Sequence, residues 1–127
     1  MKLIRYKSAL ILVTLFCLQA CTTSGRLAYI TAEGENRTAC ETEFFGLPKV
    51  DRYAVEYVLS YCAKQAVKNG HTVLDERLIG LDLTLPRAPQ GKQWNHELAK
   101  EQYARGLITD KEYGYVVAFI DLGLGDE

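Results

Sequence analysis

Residues 51–69 carry the pattern that every other segment of this chain has to accommodate. Val55, Val58, Leu59, Cys62, Ala63 and Ala66 recur at intervals of three and four, the period that places side chains on one face of an α-helix. Pro48 suits a first turn, where its missing N–H is not needed, and Gly70 supplies the C-terminal stop. A helix with so continuous a stripe is stable only when other elements cover it, so the flanking segments are expected to form layers against it.

The same helix carries a second stripe. Tyr53, Tyr57 and Tyr61 are spaced by four, and at about 100° per residue they project from the side opposite Val55 and Cys62. Lys64 and Lys68 continue that face. Two readings are open. The rings lean on the C-terminal helices with their hydroxyls at the surface, or Tyr53, Tyr57, Tyr61 and Lys64 form a partner-binding or glycan-binding surface, since clustered tyrosines bury rigid area at low entropic cost.

Around this helix the pattern predicts a small sheet. Residues 26–32 alternate Leu27, Tyr29 and Thr31 against Ala28, Ile30 and Ala32, a strand with two usable faces that ends in the turn residues Glu33-Gly34-Glu35-Asn36. Residues 37–50, with Cys40, Phe44-Phe45 and Gly46, are irregular by pattern. Residues 71–74 read as a short strand and Asp75-Glu76-Arg77 as a turn. Ile79, Leu81, Leu83 and Leu85 alternate with Gly80, Asp82 and Thr84, the cleanest period-two signal, so a strand with one buried face is expected there. Pro86 ends it, and residues 87–91 form a stiff linker.

Helical signals return at Asn95, a capping residue, with Trp94 placed to staple against Ala99 and Glu97 in the positive first turn. Gly106 closes this helix. Thr109 and Glu112 then fit a capping box that opens an element running to about Leu122. Residues 115–122 are rich enough in β-branched and aromatic residues to form a strand, although helix is preferred. Gly106-Leu107-Ile108-Thr109 followed by Glu112-Tyr113 resembles the SHOCT family of short C-terminal helical hairpins in bacterial proteins. The resemblance implies an interaction or oligomerisation appendage over residues 92–127 and carries no catalytic residue.

Upstream, Lys2, Arg5 and Lys7 precede a short apolar run over residues 8–18 and then Leu18-Gln19-Ala20-Cys21. This is a signal-peptide pattern, too short for a stable transmembrane span, and it resembles the lipobox of bacterial lipoproteins. The resemblance implies cleavage after Ala20 and a diacylglycerol and an acyl chain on Cys21, several chains being enough for stable anchoring. An ordinary secretory cut that leaves Cys21 as a thiol is the alternative. Thr22, in place of an Asp, points to the periplasmic face of the outer membrane. Residues 21–25 are then a short lipidated tether, residues 26–91 an α+β core and residues 92–127 the helical hairpin.

Removing residues 1–20 from 127 leaves 107, enough for one domain. Twelve Lys and Arg then face sixteen Asp and Glu, which argues against a nucleic-acid partner. Cys17 leaves with the signal and Cys21 takes lipid, so Cys40 and Cys62 remain, and in an oxidising compartment such a pair is expected to form a disulfide. There is no Cys-x-x-Cys, neither His71 nor His96 completes a ligand pattern, and no metal or other cofactor is expected. His96-Glu97 lacks the second histidine of a zinc-protease helix, since Lys100 stands there, and neither Ser24 nor Ser60 lies in a nucleophile elbow.

The chain is therefore expected to be α+β, with a small antiparallel or mixed sheet packed on one long helix and a C-terminal helical pair. The expected role is a non-enzymatic, lipid-anchored interaction or assembly factor with an envelope protein as partner. A periplasmic small-ligand module, its pocket between sheet and helix near Trp94 and Phe44-Phe45, is the second reading. A cell-envelope glycan enzyme is the third.

Overall fold

The computed structural model describes residues 22–125; the signal segment and Cys21 lie outside the described residues. The fold is α+β, with one antiparallel hairpin packed on a long helix and two helices at the C-terminal end. Strand β1 (Thr22–Ile30) pairs with β2 (Asn36–Phe45) from Thr22 opposite Phe45 to Ile30 opposite Asn36. At the tip, Thr31 Oγ1 accepts from the Glu35 N–H at 3.1 Å. Gly34 there takes φ +84°, the left-handed region where glycine carries no Cβ penalty.

Two boundaries differ from expectation. Residues 22–25, expected as a tether, are the first four residues of β1 and pair with Phe45, Phe44, Glu43 and Thr42. Most of residues 37–50, expected to be irregular, form β2. The register shifts where Leu27 faces Cys40 and Ala28 faces Thr38, so Ala39 is an extra residue and the hairpin bulges. Ala39 and Cys40 are consequently both half-buried, and this break in alternation hides the strand in the sequence.

Helix α1 (Pro48–Lys68) is the core of the molecule. On one side Ala63 and Ala66 pack with Leu27, Val73 and Leu78. On the other, Ala54, Tyr57 and Val58 pack with Tyr115 and Ala118. Two glycines set how closely its neighbours approach. A Cβ on Gly25 of β1 would stand 2.5 Å from Val55 Cγ1 and 2.9 Å from Leu59 Cδ1. The Cys40–Cys62 disulfide, with Cα atoms 6.4 Å apart, ties β2 to the same helix.

The expected strand over residues 79–85 is not a strand. Helix α2 (Glu76–Gly80), where a turn was expected, is followed by an extended segment outside any ladder. The side-chain alternation survives: Leu81 packs in one core cluster, Leu83 and Leu85 in the other, and Asp82 and Thr84 are exposed. Near its start the backbone is held by α1 side chains. Ser60 Oγ donates to the Leu78 carbonyl at 2.6 Å and Lys64 Nζ to the Ile79 carbonyl at 2.7 Å. The short strand expected at residues 71–74 reduces to one bridge between Thr72 and Ile30.

The C-terminal pair forms as its caps direct. Asn95 Oδ1 accepts from the Leu98 N–H at 2.8 Å to open α3 (His96–Ala104). Thr109 and Glu112 form the reciprocal capping box of α4 (Asp110–Asp121). Residues 115–121 are therefore helical, and Tyr115, Val116 and Ala118 are buried. Gly114 lets α4 cross α1 at backbone contact, since a Cβ there would stand 2.6 Å from the Val50 carbonyl oxygen.

Candidate functional site

The tyrosine stripe divides on inspection. Tyr57 is 4% exposed and meets the Tyr115 ring edge-on at a centroid distance of 5.2 Å. Tyr115 in turn donates to Glu56 Oε1 at 2.9 Å, while Arg77 holds the other oxygen of that carboxylate at 2.9 Å. Burial, with the Glu56 acceptor second, keeps the Tyr115 phenol protonated far above its ordinary range. Tyr53 is half-buried against Gly114 and accepts from Arg52 Nη2 at 2.8 Å. Tyr61 lines a separate groove with Tyr29 and His71, and Lys64 is committed to Ile79. The four residues do not present one surface, because α1 is covered on both sides and Tyr57 fills the second of them.

A different constellation is brought together at the base of the hairpin. A cleft of about 490 Å³ lies between the end of β2, the first turns of α1, and the two C-terminal helices. Phe44, Val50, Ala54 and Val117 give it an apolar lining, and Phe45 and Leu47 form one rim. The rest of the lining is polar, with Glu43 from β2. It carries Lys100 and the pair His96 and Asp121, whose Nε2 and Oδ1 atoms lie 2.8 Å apart.

Asp51 lies within this lining and is the group with the most unusual surroundings. It is 7% exposed, and its Oδ2 atom is buried with no hydrogen-bond partner. Desolvation raises its pKa above the ordinary carboxylate value. The sequence did hold a signal for it. Asp51 precedes Val55 by four residues and Val58 by seven, so an acid occupies a position on the apolar stripe.

This burial has a consequence for stability. An acid whose pKa is higher folded than unfolded makes the native chain bind more protons between the two values, so stability falls as pH rises through that window. Asp51→Asn is expected to flatten this dependence. Thermal midpoints of both proteins from roughly pH 3 to 8 read it, and parallel curves would show that Asp51 titrates alike in both states.

Of the sequence-predicted pocket residues, Phe44 and Phe45 line the cleft, but Trp94 does not; its indole N–H donates to the Pro86 carbonyl at 2.9 Å. Among the described residues, no group of three or more His, Cys, Asp or Glu is placed to hold a metal ion. The lining mixes apolar side chains with Glu43, His96, Lys100 and Asp121, and the unpaired Asp51 Oδ2 is buried behind it, a combination suited to holding an amphipathic group. Comparisons with family models, with curated proteins and with solved structures return no match.

Proposed function

We propose that the mature chain is a lipid-anchored envelope protein, held through Cys21 at the periplasmic face of the outer membrane, that acts as an interaction factor. Its contact is made at the cleft beside Asp51, where it seats an apolar group of its partner carrying an N–H or O–H donor. The observation behind this reading is the unpartnered Oδ2 of Asp51, buried just behind the lining of an open cleft with apolar and polar sides. Leaving such an acceptor unmade costs about 1–3 kcal/mol, a cost that a bound donor relieves once the Asp51 side chain turns toward the cleft to meet it. The C-terminal pair, which resembles an interaction appendage, supplies Lys100, His96, Tyr113 and Val117 to the same cleft. The interaction surface is thereby moved from the tyrosine stripe to the hairpin base.

The test is photo-crosslinking in intact cells with a probe at position 100, on the cleft rim, and at position 68, at the far end of α1. A discrete protein adduct is expected at position 100 alone, and Asp51→Leu is expected to reduce it at least tenfold while the fold becomes no less stable. Equal adducts at both positions, or none, would reject the cleft as a protein-binding site. The small-ligand reading, favoured by the same cleft, predicts instead a ligand-dependent rise in thermal midpoint that Asp51→Leu removes.

A further inference from the structure

We infer that Phe45 and Leu47 form a membrane-contact surface, seated in the interfacial layer of the bilayer that holds the Cys21 lipid. The inference rests on the lipid-anchor reading above and goes beyond it: the anchor tethers the chain, whereas this contact orients it.

Three observations carry it. Phe45 is 68% and Leu47 47% exposed, large apolar side chains left out of the core. Strand β1 begins at Thr22, the residue after Cys21, so no free linker separates the anchor from the fold. Thr22 is the ladder partner of Phe45. Antiparallel partners have Cα atoms about 5 Å apart, so Phe45 sits beside Thr22, the residue to which Cys21 is joined by one peptide bond. A headgroup layer is itself roughly 5–8 Å thick on each side of the hydrocarbon. With its acyl chains in the leaflet, Cys21 stands at that layer and carries the base of the hairpin into it. Aromatic and aliphatic side chains on such a surface add buried apolar area to the anchor.

The molecule supplies its own controls. Leu74 is 77% exposed but lies near the Ile30–Asn36 end of the hairpin, where it shares a groove with both residues. That end is about 26 Å along the strand from Thr22. Val67, 41% exposed, is near the last turn of α1, about 30 Å along the helix from Leu47.

The experiment uses the full-length lipidated protein, purified in detergent and returned to phospholipid vesicles that contain a phospholipid with a photoreactive acyl chain. After irradiation, adducts are mapped by mass spectrometry, and the mass of the N-terminal peptide reports lipidation of Cys21. Adducts on Phe45 and Leu47 are expected at least fivefold above those on Leu74 and Val67, and a Phe45→Ser, Leu47→Ser double variant is expected to lose them while keeping its lipid. A lipidated Cys21 with no excess of adducts at positions 45 and 47 overturns the orienting contact alone. An N-terminal peptide without lipid overturns the anchor reading and this inference together.

Discussion

Gly114→Val is expected to destabilise the fold by about 3 kcal/mol, the upper end of what overpacking a close contact costs. The first atom of the new side chain meets backbone: the Val50 carbonyl oxygen at 2.6 Å and the Ala54 nitrogen at 3.0 Å, with Tyr53 Cβ at 2.8 Å. Neither helix yields by rotating a side chain, so α4 has to move away from α1 and uncover Tyr57 and Tyr115. Helix propensity alone predicts the opposite sign, since glycine inside a helix costs about 1 kcal/mol relative to alanine. Urea unfolding of Gly114→Val beside Gly80→Ala separates the effects, because a Cβ at Gly80 meets nothing within 4 Å. Equal stability for both variants would show that the crossing is not at backbone contact.

Removing the cystine is expected to have an effect of similar size. Cys40 and Cys62 are 22 residues apart, and releasing a loop of that length returns about 3 kcal/mol of chain entropy to the unfolded state in the entropic model. For a domain of this size the thermal midpoint should fall by roughly 15 °C. The Cys40→Ala, Cys62→Ala protein should keep its secondary structure, because the ladder of β1 and β2 and the caps of α3 and α4 do not depend on the bond. An unchanged midpoint, or two probe-reactive thiols in the unreduced native protein, would refute the pairing.

What could be read from the sequence was local. Asn95 and Thr109 were legible as caps because each accepts from a backbone N–H three residues on, so residue type and spacing contain the whole interaction. The α1 stripe was legible for the same reason. Strand β2 was not, because its bulge places Ala39 and Cys40 inward together and its remaining pattern is one of exposed Arg37, Glu41 and Glu43. At residues 81–85 the alternation correctly told which side chains are inside. It could not tell that the backbone lies against helices instead of a neighbouring strand. Tyr57 shows the same limit, since spacing puts it opposite Val55 without revealing that both sides of α1 are covered. The cleft is a tertiary object assembled from four elements, and only Asp51, an acid on an apolar stripe, marked its place.

Gly25 and Gly114 act on α1 as two notches, one cut for the hairpin and one for α4. A notch accepts its partner at one height. Sliding α1 by a turn against either neighbour would carry side chains into positions where only a hydrogen atom fits. The hairpin, α1 and α4 are therefore indexed to one another, like parts keyed to a single shaft, and a slide of α1 against either of them meets a steric clash. The β2, α1 and α4 sides of the Asp51 cleft therefore hold one relative height, and its outline is set by the contacts of two glycines that lie outside its own lining.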